Sequence, residues 1–408
     1  MRIGHLSLTD FRNYERAEVD FTAGPNLIVG RNGQGKTNMV EAVGYLATLG
    51  SHRVSTDAPL IRAGADAAII RARLQSGERE LLAELQVNRV GANRAQLNRG
   101  VIRPRELVRY CHSVLFAPED LALVRGEPAG RRRFLDDLLV QLTPRLAGVM
   151  TDYERVVRQR NSLLKSARAS GLREKQLSTL DLWDERLVAL GSEIIDERLS
   201  LVEQLREPVR TAYRSVAGDD HHPELTPVLT IHGDALTSEV VTDDPTPTTA
   251  GSPRADDAIP RPDPANPPTS TDALRAPTAE LFRRALAGIR RQEIDRAVTL
   301  VGPHRDDLTL VLNGLPAKGY ASHGESWSFA LALKLASAEL LRTDFASGDP
   351  VLVLDDVFAE LDQARRARLA TAIVGYEQVL ITAAVFDDVP SELARNVIRI
   401  ESGRVVDE

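Results

Sequence analysis

The sequence predicts an α/β protein: a head built on a mixed sheet, with a helical, arm-like second domain. Three observations predict this. The stretch LIVGRNGQGKTNMVEAV, Leu27–Val43, is an apolar run, a glycine-rich loop and a helical pattern in succession. Near the C-terminus the apolar runs VLVLDD and QVLITAA alternate with helical segments, which is the pattern of a parallel sheet. Between these ends, Ala129 to Val216 repeats apolar residues at three and four, the period of amphipathic helices.

The elements follow in order. RIGHLSLTDFRNYERAEVDFTAGPN alternates in patches and predicts two strands joined by a turn. Leu27, Ile28 and Val29 predict a buried strand, and the helix is expected from Thr37 onward. Ala67 to Leu97 predicts meandering strands with turns at Gly77 and Gly91. The helical stretch gives way to GDALTSEVVTDDPTPTTAGSPRADDAIPRPDPANPPTSTDALRAP, Gly233–Pro277, with nine prolines and no aromatic residue. Such a segment buries too little apolar surface to offset its ordering entropy, so a disordered acidic insert is expected. VTLVGPHRDDLTLVLNGLPA then predicts strands, SWSFALALKLASAELLRT a helix, and VLVLDD a strand buried on both faces. The expected pieces are 1–125, the N-terminal part of the head; 126–232, the helical domain; 233–277, the insert; and 278–408, which completes the sheet.

Composition narrows the class. The chain has 408 residues, enough for two or three domains, and 43% are apolar, as in an ordinary globular protein. No run approaches the roughly 18 apolar residues of a membrane helix. The N-terminus MRIGHLSLTDFRNY lacks the apolar core of a signal peptide, so a cytoplasmic protein is expected. The lone Cys111 excludes an internal disulfide and a cysteine-cluster metal site. Beside His112, at the start of a strand in RYCHSVLF, it reads as a packed thiol rather than a nucleophile. The net charge is −7, but residues 233–277 hold eight acids and three arginines, or −5. The remaining chain therefore carries only −2, and local basic stripes remain free to set the field.

Gly30-Arg31-Asn32-Gly33-Gln34-Gly35-Lys36-Thr37 matches G-x-x-x-x-G-K-[ST] in full. The glycines let the backbone approach phosphates, and the helix N-terminus faces the anion. Lys36 is the expected catalytic cation on the β- and γ-phosphates of ATP, and the Thr37 hydroxyl an expected Mg²⁺ ligand. Asp355, emerging from the apolar strand, is the second expected metal-side residue. Asp356 is the expected catalytic residue that orients or deprotonates water. More than 300 residues separate the P-loop from this strand, the spacing of ATPases whose nucleotide-binding head is split by a large insertion. Ala321-Ser322-His323-Gly324-Glu325-Ser326 opens a helix shortly before it, as the signature motif does in ABC-type ATPases, so Ser322 and Gly324 are expected to meet nucleotide on a partner subunit. Ala359-Glu360-Leu361-Asp362 stands where the D-loop does. The fold class is thus an ABC-type P-loop ATPase head.

At this point the chain resembles the RecF family of bacterial DNA repair. The carriers are FRNY (Phe11–Tyr14), GRNGQGKTN, His52-Arg53, FAPEDL (Phe116–Leu121), RRRFLD (Arg131–Asp136), GPHRDDL (Gly302–Leu308), SHGES and Val353–Asp362. They span nearly the whole chain except the insert. Three positions depart from wider patterns: Glu325 ends the signature where glutamine is usual, Asp356 stands where most ABC-type ATPases have glutamate, and Thr382 replaces the transporter switch histidine. The resemblance implies slow, DNA-dependent ATP hydrolysis and an ATP-dependent homodimer closing on duplex DNA near single-strand gaps. It further implies loading of RecA-type filaments with RecR- and RecO-type partners, support of replication and the SOS response, and a nucleotide-side place for Arg12 and Asn13. His304, Asp306 and Asp307 would sit on a strand with alternating faces, which favours a structural or nucleotide-side network over a metal site.

Arginines crowd residues 89–109, where Arg94, Arg99 and Arg103 are candidate DNA contacts, and continue with Arg131 and Arg132. A further run includes Arg155, Arg158, Arg160, Lys165 and Arg168. With little aromatic interleaving, duplex backbone contact is expected over base stacking. An SMC-like structural ATPase would need long coiled-coil arms. A transporter ATPase would show L-S-G-G-Q and a short gap between its motifs. An overcoming-lysogenization-type nuclease would need a further acidic domain after the head.

Overall fold

The computed structural model describes residues 1–170, 178–233, 277–344 and 348–406. All but the end residues of the expected insert lie outside them. The chain starts with β1 (Arg2–Phe11), β2 (Tyr14–Asp20), β3 (Gly24–Val29) and α1 (Lys36–Thr48). Hairpins follow: β4 (Ala67–Ser76), β5 (Arg79–Asn88), β6 (Arg94–Leu97) and β7 (Gly100–Ile102). Next come α2 (Pro104–Leu107), β8 (Ser113–Phe116), α3 (Leu121–Arg125), α4 (Pro128–Leu142), α5 (Leu146–Ala169) and α6 (Ser178–Ala217). Then follow β9 (Glu224–Val228), α7 (Thr278–Arg296), β10 (Asp307–Leu312), β11 (Leu315–Pro316), the broken turn α8 (Ala317–Tyr320) and α9 (His323–Asp344). The chain closes with β12 (Val351–Asp355), α10 (Gln363–Ile373), β13 (Gln378–Ala383), β14 (Asn396–Glu401) and β15 (Arg404–Val406).

Two compact units result. The first comprises Met1–Asp152, Asp196–Pro227 and Asp307–Glu408. Its central sheet has the order β15-β14-β3-β13-β12-β8. β14, β3, β13, β12 and β8 run parallel and β15 antiparallel, so the sheet is mixed. β12 and β13 are buried at every residue, which is why they read as unbroken apolar runs. The N-terminal β3 and the C-terminal β12, β13 and β14 form one sheet, as the motif order requires. A second sheet, β2-β1-β4-β5-β6-β7, is antiparallel throughout. α4 belongs to this unit because Leu135, Leu138 and Leu139 share a core with Val114 and Phe116 of β8.

The second unit comprises Tyr153–Ile195 and Val228–Asp306. The 126–232 piece expected from periodicity is thus shared between the units. Two readings are corrected here. Residues 298–301 form no strand, and Gly302–Arg305 is a turn rather than part of β10. Gly302 has φ 127°, and a Cβ there would stand 2.8 Å from the Phe282 ring. His304 bonds Tyr153 Oη through Nδ1 at 2.7 Å and the Thr299 carbonyl through Nε2 at 3.2 Å. Asp306 accepts from the Thr230 amide and hydroxyl. The GPHRD turn is therefore a structural clamp. Arg160 is wholly buried, between Glu293 at 2.5 Å and Asp184 at 2.7 Å, with Thr299 at 3.0 Å. It is not a surface cation. No helix among the described residues is long and apolar enough to cross a membrane.

Candidate nucleotide-binding site

The site lies at the carboxyl ends of the parallel strands, where an open α/β sheet places its ligands. β3 ends at Val29 and the chain turns through the P-loop into α1. Gly33 and Gly35 take φ 80° and 119°, conformations that admit glycine without penalty. A Cβ at Gly35 would also stand 2.7 Å from Tyr14 Oη. The FRNY turn explains that crowding: Tyr14 Oη donates to the Gly35 carbonyl at 2.9 Å, and Asn13 Nδ2 to the Gln34 carbonyl at 3.0 Å. Asn13 also accepts from Asn38 at 2.7 Å. On the other side, Gly403 N–H donates to the Gln34 carbonyl at 3.0 Å. The loop is thus braced by the first and last hairpins of the chain.

Lys36 is buried, and its Nζ reaches the Arg31 carbonyl at 3.5 Å. Gln34 N–H donates to the Arg31 carbonyl. The first amides of α1 have no intrahelical acceptor, and they point where an anion would sit. Arg12 does not face this cradle with a free guanidinium. It forks onto Glu41 of α1 at 2.6 and 2.8 Å and donates to the Pro59 carbonyl at 3.0 Å. Glu41 is buried and also accepts from Ser51 at 2.5 Å. Burial opposes its ionisation, but the hydrogen bonds from Arg12 and Ser51 and the charges of Arg12 and Arg53 hold its carboxyl below the usual range. Sequence reading missed Glu41, because nothing in the P-loop pattern demands a carboxylate in that helix.

Asp355 and Thr382 are paired across β12 and β13 in register. Asp355 Oδ1 accepts from Thr382 at 2.6 Å and from Thr37 at 3.1 Å. Burial pushes the Asp355 carboxyl up to about 6, with Asp356 and Glu119 adding to the rise and the two hydroxyls opposing it. Glu119, in FAPEDL, therefore belongs to this electrostatic group, although sequence reading gave it no role. Asp356 has left-handed backbone, φ 51°, and its N–H donates to Thr382 at 2.9 Å. Its Oδ1 is buried without a hydrogen-bond partner. The buried Asp355 carboxylate, the half-buried Asp356 carboxylate with its unpartnered Oδ1, and the Thr37 hydroxyl are a donor set that fits a hard divalent cation.

Ser322 and Gly324 open α9. Ser322 N–H donates to Glu325 Oε2 at 2.7 Å, and Glu325 N–H donates to Ser322 Oγ at 3.3 Å. This is a capping box, which accepts Glu or Gln at its third position. The departure at Glu325 thus has a local physical role, and its hydrogen bonds to Ser322 hold the carboxyl below the usual range. A Cβ at Gly324 would lie 2.8 Å from an Arg365 nitrogen. Arg365 pairs with Asp362 and donates to Ser328 at 3.1 Å, so it ties the D-loop to the signature helix. Neither Ser322 nor Gly324 hydrogen-bonds to the P-loop of the same chain.

The candidate DNA residues divide. Arg94, Arg99 and Arg103 are exposed, and Arg132 is half-buried. Arg131 is buried and makes a two-pronged pair with Asp307 at 2.7 and 2.9 Å, with further bonds to the Leu123 and Gly126 carbonyls. That corrects the expectation for Arg131: its donors are taken up inside the head. Cys111 is buried, and burial pushes its thiol up to about 12, as befits a packed thiol.

Known proteins share this architecture. The family described as RecF/RecN/SMC N terminal domain matches residues 2–404. The DNA replication and repair protein RecF of Leifsonia xyli subsp. xyli is 62% identical over 407 residues, covering 100% of both chains. That of Streptomyces avermitilis is 50% identical over 409 residues, covering 99% of each. A solved structure of the recombination mediator protein RecF with ATP in the RecFOR pathway superposes with TM-score 0.80 at 25% identity, covering 99% of this chain and 96% of that one. An Smc head bound to the C-winged helix domain of ScpA, at TM-score 0.51 and 16% identity, shares the fold.

Proposed function

The chain belongs to the RecF family of DNA replication and repair proteins, and from that premise we propose an ATP-driven DNA clamp that mediates recombination. The observation that carries this reading is the hydrogen-bonded chain Thr37–Asp355–Thr382, with the unpartnered Asp356 oxygen beside it. ATP is held by residues 30–37, with Lys36 on its β- and γ-phosphates and Asn13 bracing the loop; Arg12 acts through Glu41. Thr37 and Asp355 hold Mg²⁺, which supplies charge neutralisation at the phosphates. Asp356 orients the attacking water, and its short side chain supports slow hydrolysis. Ser322 and Gly324 present helix N–H groups to the nucleotide of a second copy. The ATP-bound homodimer closes on duplex DNA near a single-strand gap, where RecO- and RecR-type partners join it and a RecA-type recombinase is loaded. Replication restart and the SOS response follow from that loading. A cytoplasmic location accords with this work. In domain terms, the proposal keeps a head made of both chain ends and a helical second piece.

Light scattering with and without ATP and a gapped duplex tests this, alongside Lys36→Arg. ATP-driven dimerisation and tighter DNA binding only in the unmutated chain support the clamp. A chain that stays monomeric under every condition overturns it.

A further inference from the structure

We infer that a basic concavity in the second unit is a binding site for phosphate groups of the DNA backbone. The inference rests on the DNA-binding reading above but concerns a surface outside the nucleotide site. The concavity holds about 600 Å³ and is lined by Asn161, Lys165, Arg168 and Ala169 of α5 and by Arg296–Val298 at the end of α7. Asn161, Lys165 and Arg168 are spaced i, i+4 and i+7, so they form one stripe of the helix. Arg296 meets that stripe from the other helix. Among the described residues, no carboxylate lines the space.

Several other cations of this unit are matched. Arg160 sits between Glu293 and Asp184, Arg283 pairs with Glu185 at 3.0 Å, and Arg158 faces Glu154 at 3.6 Å. Lys165, Arg168 and Arg296 have no ion-pair partner among the described residues. Arg168 and Arg296 stand in the last turns of their helices, where a cation offsets the helix dipole. Lys165 does not, and a dipole does not gather three cations around one space.

Asn161 supplies the decisive detail. Its Oδ1 accepts from the Thr299 backbone N–H and hydroxyl, both at 2.7 Å. A backbone N–H must have an acceptor, so the amide orientation is fixed. Its Nδ2 is left as a donor with no partner among the described residues. The polar side chains among the described lining residues therefore present donors: one ammonium, two guanidinium forks and one amide. Phosphate oxygens are acceptors only, and arginine forks match them geometrically. Small Ala169, Ala297 and Val298 leave room for a backbone to approach, and no aromatic ring is present to stack a base.

The test uses the full chain with ATP and a fluorescent gapped duplex, over a salt series. The variant Lys165→Ala/Arg168→Ala/Arg296→Ala is compared with the unmutated chain and with Lys165→Arg/Arg168→Lys/Arg296→Lys. The alanine variant should weaken binding, and the slope of log affinity against log salt should fall by about 0.9 for each lost phosphate contact. ATP binding should not change, and the charge-preserving variant should keep the full slope. If the unmutated chain binds the duplex and the alanine variant matches it in affinity and slope, the phosphate site is overturned while the clamp stands. If the unmutated chain does not bind duplex at all, the DNA reading itself falls and this site with it. Should the alanine variant match on duplex yet lose retention of poly-glutamate, the concavity serves acidic protein and the inference is overturned.

Discussion

The hydroxyl of Thr37 donates to a carboxylate oxygen of Asp355 at 3.1 Å, joining residues 318 positions apart. The bond closes the head, since β3 and β12 reach each other only through β13 between them. Thr37→Ala and Asp355→Asn should each lower ATP turnover about 10²-fold or more, the usual scale for removing one preorganised charge-stabilising group. Phosphate release, measured beside nucleotide binding, checks this. Unchanged turnover in Asp355→Asn would place the metal elsewhere.

Asp356 makes a different prediction. Its backbone N–H is tethered to Thr382, and its Oδ1 has no protein partner. Asp356→Asn should keep ATP binding while turnover drops about 10²- to 10⁴-fold, the range for a lost general base. The ATP-bound dimer should then accumulate, which sedimentation would show. A variant that loses ATP binding as well would make Asp356 a binding group.

How much of this was legible depended on how local each signal is. The glycine-rich loop before α1 and the Asp-Asp strand are each written in adjacent residues, so pattern alone located these elements. Arg131 could not be sorted from its neighbours, because its partner Asp307 lies 176 positions away. The same holds for Arg160 with Glu293 and for Arg12 with Glu41. A run of arginines looks alike in sequence whether it solvates a surface or closes a core. GPHRD was misplaced for another reason. Its apolar flanks suggest a strand, but the turn is fixed by Gly302 packing against Phe282 and by Thr230 bonding Asp306.

Arg131 should act on stability. Arg131→Ala leaves Asp307 without its fork and should cost about 3 kcal/mol, the scale of a broken buried pair. Denaturant unfolding measures it. DNA affinity per folded molecule should stay as it was, and a selective DNA defect in a fully stable variant would restore Arg131 to the interface.

Glu325 should be replaceable by glutamine. Both side chains complete the capping box with Ser322, so Glu325→Gln should keep the melting temperature and ATP-driven association. Ser322→Ala should cost about 1 kcal/mol through the lost cap. If Glu325→Gln instead strengthens association markedly, the glutamate charge opposes the partner's nucleotide.

His112 sets a pH dependence. Burial lowers its pKa to about 4, with a hydrogen bond to the Arg109 backbone opposing part of the shift. An unfolded histidine titrates near ~6.5. Between these values the unfolded chain takes up a proton that the folded chain refuses. The stability is therefore full above the unfolded pKa and is lost as pH falls toward 4. Melting curves across that window should flatten in His112→Gln relative to the unmutated chain. Parallel curves would mean that His112 is not desolvated.

Arg99 carries backbone strain at an exposed loop tip. Asn98 and Arg99 form the two-residue loop between β6 and β7, with φ 51° and 68°. Such a loop favours Asn-Gly, and a side chain at its second position costs of order 1 kcal/mol or more. Asn98 suits the turn and accepts from the Leu82 N–H at 2.8 Å. Arg99 does not suit it, yet it is exposed at the tip. Arg99→Gly should therefore raise the melting temperature. If the tip touches duplex phosphate, the same change should weaken DNA binding and reduce the salt slope by about 1. A variant that gains stability and keeps both affinity and slope removes Arg99 from the DNA surface and leaves its strain without a functional account.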